Sequence, residues 1–87
     1  GIDSLIDYLI AQILASDIED GTKNELTSIL ANAKKSSENG NIGAAVNQMN
    51  AFLNKLKAQG GKKIPVELAD GWAQIAGRII ALLEANP

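Results

Sequence analysis

The chain contains no cysteine and no histidine, and its 87 residues include only one tryptophan, one tyrosine and one phenylalanine. Without cysteine there are no disulfides, thiolate ligands or thiol nucleophiles, although this alone does not choose a compartment. Without histidine the commonest general base is gone. With cysteine missing too, so are the usual zinc sites and the Ser-His and Cys-His nucleophile pairs. Cationic charge is also sparse: eight lysines and arginines, with Lys34-Lys35 and Lys62-Lys63 as the only lysine doublets and a formal net charge of −2. No surface built from these can neutralise many phosphates, so nucleic acid is not an expected partner. The same scatter argues against an electrostatic membrane anchor, and no apolar run approaches the roughly 20 residues that span a bilayer, so no membrane insertion is expected. The chain opens at Gly1 with neither an initiator methionine nor a signal peptide, as expected of a domain excised from a larger protein or of a chain already processed.

What is present points to a helical domain. Hydrophobic residues make up 46% of the chain and charged residues 21%, far from the composition of disordered segments, and the length suits one core over residues 1–87. Ile2, Leu5, Ile6, Leu9, Ile10 and Ile13 fall on one face of a helix over about 2–15, which leaves Tyr8 toward solvent. Asp17, Asp20 and Gly21 favour a loop over 16–21, with Ile18 as its apolar anchor. Thr22-Lys23-Asn24-Glu25 has capping-box spacing and predicts a second helix over 22–38, with Leu26, Ile29, Leu30, Ala33 and Ser37 inward.

Asn39-Gly40 suits a left-handed helix end, and Asn41 can cap the next helix at once, so helices two and three form a tight antiparallel hairpin. The third helix, about 42–59, carries the most regular stripe of the chain: Ile42, Ala45, Val46, Met49, Phe52, Leu53 and Leu56. Gly60-Gly61 stops it. A fourth helix over about 65–84 begins near Pro65 and has a wide apolar arc. Leu68, Trp72, Ile75, Ile79, Leu82 and Leu83 share a face that Ala69, Ala73, Ala76 and Ile80 extend, either toward a second neighbour in the bundle or as a small patch for a partner. Gly71 and Gly77 inside that helix imply a close backbone crossing, since each costs about 1 kcal/mol relative to alanine. The expected fold is all-α, a four-helix up-and-down bundle with short loops.

Chemistry is harder to find. Asp3 with Asp7, and Glu19 with Asp20, are the available carboxylate pairs, but both are expected in water, where nothing raises a carboxyl pKa into a working range. Residues 17–28 fail as a calcium loop, because Gly21 stands at position five and Ser28 where the bidentate glutamate belongs. Gly60-Gly61-Lys62-Lys63 lacks the spacing of a phosphate loop. These residues indicate no enzyme, no metal and no cofactor. The candidate ligand contacts are Tyr8 and the amide row Asn47, Asn50 and Asn54 on the third helix, set against a blander reading in which Asn50 holds an adjoining loop and the other two are solvated. Phe52 and Trp72 are expected in the core.

Residues 41–53, followed by Gly61-Lys62-Lys63-Ile64, resemble the FIMAH domain, a small helical module at the ends of large secreted or surface proteins of Firmicutes and Methanosarcina-type archaea. The leucines and isoleucines of the first helix, Ile18, Leu30, Ala33 and the isoleucine-rich end of the fourth helix fall in the family's order. Pro65 departs from it, standing where a serine or threonine cap is expected. The resemblance implies an extracellular or cell-surface accessory domain, attached to a carbohydrate-active or adhesive protein, with no binding site that transfers residue by residue. Its expected partners are another protein or adjoining domains of the same chain. A carbohydrate-binding module and an intracellular helical adaptor are the alternatives.

Overall fold

The computed structural model describes residues 1–85; the last two positions of the expected 1–87 domain lie outside the described residues. Four helices follow one another, α1 (Ile2–Ala15), α2 (Asp20–Glu38), α3 (Ile42–Gln59) and α4 (Val66–Ala85). Each packs on its sequence neighbours, and α4 closes the ring against α1, giving an up-and-down bundle of 35 × 18 × 18 Å. All four stripes meet in one core. Its largest fully buried members include Ile6, Leu9, Ile13, Leu26, Leu30, Met49, Phe52, Ile79 and Leu83, and Trp72 is nearly as deep. The wide arc of α4 is explained by its two neighbours: Ala69 and Ala76 are buried, while Ala73 and Ile80 pack against the core from its margin.

The turn between α2 and α3 forms as its residues predict. Gly40 adopts a φ of +76°, its amide donates to the Ser37 carbonyl at 3.0 Å, and the Asn41 amide donates to that of Ser36 at 2.8 Å. This is the two-bond left-handed termination that satisfies orphan carbonyls at a helix end. Asn41 also starts α3, its side-chain oxygen accepting from the Ala44 amide at 3.3 Å. One residue thus ends one helix and begins the next.

Three expectations are corrected. First, α2 begins at Asp20, not at residue 22, and no side-chain cap bond forms. Thr22 is buried in the first turn instead, on the same face as Leu26 and Leu30, and Glu25 reaches across to Lys55 of α3. Ile18 and Thr22 are four residues apart, so burying both carries the inward stripe toward the loop and draws the helix start with it. Second, Gly71 and Gly77 are exposed, and a Cβ at either would meet nothing within 4 Å. No backbone crosses there. Third, Asn50 is exposed and holds no loop, for its side chain makes no hydrogen bond among the described residues.

Two loops close the same end of the bundle, and each buries one isoleucine. Ile18 anchors the α1–α2 connection as expected. Ile64, fully buried, anchors the α3–α4 connection, where its amide donates to Gln59 and its carbonyl accepts from Gly61, itself at a φ of +79°. Pro65 stands just ahead of α4, and its carbonyl accepts from the Ala69 amide at 3.0 Å. Proline lacks an N–H, which costs nothing at a helix start where that donor would be an orphan. Lys23 of α2 reaches the Leu14 carbonyl at 3.0 Å, placing a cation at the negative end of α1.

Among the described residues, surface ion pairs join Asp7 of α1 to Lys34 of α2 at 3.0 Å, Glu25 of α2 to Lys55 of α3, and, between the two loops, Glu19 to Lys63 at 3.6 Å. The Lys55 hydrogen bond and charge hold the Glu25 carboxyl below its usual range, and the Asp7 hydrogen bond raises Lys34.

Candidate functional site

The packing of α3 on α4 forms a groove of about 450 Å³. Its floor follows from side-chain size. Ala69 and Ala73 of α4 face Leu53 and Leu56 of α3, and the small residues leave a trough that larger ones would fill. Gly60 closes one end, where an added Cβ would lie 3.1 Å from the Leu56 carbonyl and 3.4 Å from the Ala69 Cβ. Val66, at the start of α4, is 50% exposed on the rim. A half-exposed valine beside an alanine trough is the apolar part of the site.

The polar part comes from both walls. Asn50, Asn54 and Lys57 line it from α3 and Asp70 from α4, and neither Lys57 nor Asp70 joins an ion pair among the described residues. The groove therefore offers two amides with donors and acceptors, one cation and one anion around an apolar floor. It can hold a ligand by shape and hydrogen bonding. It has no nucleophile-base pair, and among the described residues no group of three histidine, cysteine or acidic side chains is placed to hold a metal ion.

Sequence reasoning named four contacts, and the fold divides them. Asn50 and Asn54 line the groove, and Asn47, exposed on the same helix, does not. Tyr8 is 51% exposed on α1 and lines neither this groove nor the second concavity, so it shares no site with the amide row. Leu53, Val66 and Asp70 were not named as contacts, while Ala69 and Ala73 were named only within an arc that could meet a partner. The alanine arc of the fourth helix was the available signal, because small residues toward a neighbour mark where a groove can open.

The second concavity, about 730 Å³, lies where the two isoleucine-anchored loops approach each other, and Gln12, Asp17, Glu19, Lys62, Lys63 and Leu68 are among its lining. Acids and lysines alternate there, and Glu19 pairs with Lys63 across it. Ala15, Ile18, Pro65 and Leu68 supply its apolar lining beside those charges.

The family model described as FIMAH domain matches residues 2–81, which takes in all of the first three helices and most of α4. The chain belongs to the FIMAH family. No curated protein and no solved structure matches it. In this FIMAH domain the match runs through both isoleucine-anchored loops and through the α3–α4 pair, so the groove is built from family sequence and not from an appended segment. Among the described residues no helix is long and apolar enough to cross a membrane.

Proposed function

We propose that this FIMAH domain is a non-catalytic accessory module of a larger secreted or cell-surface protein, and that it acts by protein contact through the α3–α4 groove. The observation that carries the reading is the composition of that groove: an alanine and leucine trough, a half-exposed valine, and unpaired Lys57 and Asp70 on opposite helices. Such a surface is complementary to a protein segment that inserts an apolar side chain and sets an acidic group against Lys57 and a cation against Asp70. Asn50 and Asn54 supply hydrogen bonds to its backbone. The residue types agree with this reading, since the chain has no histidine, the commonest general base, and no cysteine nucleophile.

A carbohydrate ligand is the second reading, favoured by the paired amides. It is weakened by the absence of an aromatic ring from the groove lining, because sugar faces are commonly gripped by stacking on such rings. The test is binding of the domain to the adjoining modules of its parent protein. Ala73→Arg, which fills the trough, is expected to abolish that contact while leaving the helical signal unchanged. Glycan binding that survives removal of the protein partner and is lost in Asn50→Ala would favour the second reading, and turnover of a glycan or ester by the pure domain would overturn the first.

A further inference from the structure

We infer that the α2–α3 turn is a site of spontaneous covalent modification, at the Asn39-Gly40 peptide, and that opening of the turn sets its rate. Asparagine followed by glycine is the arrangement in which a backbone nitrogen most readily attacks the preceding side-chain amide, because glycine puts no Cβ beside the nucleophile. Loss of the amide proton makes the Gly40 nitrogen nucleophilic. It bonds to the Asn39 Cγ, the bond from Cγ to the side-chain nitrogen breaks, and ammonia leaves. The resulting five-membered imide is opened by water at either carbonyl, giving aspartate or isoaspartate. Water is the only co-reactant and no electron is transferred.

The fold supplies most of what this needs. Glu38, Asn39, Gly40 and Asn41 are all exposed, and a Cβ placed at Gly40 would meet nothing within 4 Å, so the ring has space and water has access. The Asn39 side chain makes no hydrogen bond among the described residues. The other asparagines of α2 and α3 sit inside helices and precede residues with side chains, and the Asn41 amide oxygen is engaged by Ala44.

Two features hold the reaction back. The Gly40 N–H is committed to the Ser37 carbonyl at 3.0 Å, and Asn39 has a ψ of 2°, from which the backbone must turn far to bring the nitrogen onto Cγ. Both restraints belong to a solvated helix end, where local opening costs far less than global unfolding. Isoaspartate would route the backbone through an extra carbon between Ser36 and Asn41, within the span bridged by the two terminating hydrogen bonds. The product is a hairpin that can no longer close as it did.

The experiment incubates the whole domain at physiological temperature and mildly alkaline pH. Mass spectrometry of the tryptic peptide covering 36–55 then localises amide-to-acid conversion and separates the aspartate and isoaspartate forms. Asn39 is expected to convert at least an order of magnitude faster than Asn47, Asn50 or Asn54 of the same peptide, with both products formed. Asn41→Ala, which leaves the Asn39-Gly40 peptide intact but loosens the turn, is expected to raise the rate several-fold. Conversion at Asn39 no faster than at the helical asparagines would overturn the site, and an unchanged rate in Asn41→Ala would overturn the gating.

Discussion

A glycine in a helix is a stability defect unless its backbone or its surroundings need it, and α4 contains two that need neither. Gly71 and Gly77 have ordinary helical backbones and open space where a Cβ would go. Gly71→Ala and Gly77→Ala are therefore expected to stabilise the domain by about 1 kcal/mol each, read as a rise in the urea midpoint without a change in slope. Gly40 is the opposite case: at a φ of +76° an alanine is strained even though nothing crowds it, and Gly40→Ala is expected to cost about 1–2 kcal/mol. Gln48 presents a third residue-scale test. Its side-chain oxygen is buried without a hydrogen-bond partner, so Gln48→Met, which keeps the shape and removes the unsatisfied atom, should be neutral or stabilising by up to about 1 kcal/mol in the same measurement. At this scale the sequence read well where a residue's own backbone decided, as at Gly40 and Asn41. It misread Gly71 and Gly77, because an inferred helix crossing depends on where neighbours lie, and no local signal reports that.

The elements are held in register by loops with buried anchors as much as by their stripes. Ile64 lies in a connection of glycines and lysines and is nonetheless fully buried, with its amide and carbonyl both bonded within the turn. Ile64→Ala is expected to cost roughly 2–4 kcal/mol, as large as a mid-helix core truncation, and to raise amide exchange at the start of α4 before it does so in α2. A loss below 1 kcal/mol would mean that the loop is not structural. The four helices and their faces were legible from apolar spacing, since a 3.6-residue period needs only the local chain. Helix starts were less so: Thr22-Lys23-Asn24-Glu25 has the pattern of a capping box, yet burial of Thr22 on the same face as Leu26 moved the helix start back to Asp20. Tertiary burial outweighed a cap bond of about 1 kcal/mol. The candidate groove was half legible, in Asn50 and Asn54 and in the alanine arc of the fourth helix, because these two walls are brought together only when the helices pack.

For the molecule as a whole, the missing residue types set the pH response. Glu25 has its folded pKa lowered by Lys55, so its contribution is present above the unfolded value of 4.5 and is lost as pH falls through the lower folded value. Lys34 has its folded pKa raised by Asp7, so its contribution is present below 10.5 and is lost as pH rises through the higher folded value. With no histidine or cysteine between these limits, the urea midpoint should be nearly level through the neutral range. It should decline modestly at both extremes, modestly because both pairs are solvated and screened. A step near pH 6–7 would contradict this. The proposed function rests on a surface, the α3–α4 groove. The most direct test is an NMR titration of the labelled FIMAH domain with the adjoining modules of the larger protein to which the proposed function assigns it. The account predicts saturable shifts confined to Asn50, Leu53, Asn54, Val66, Asp70 and Ala73. Shifts centred on Tyr8, or no shifts at all, would contradict it.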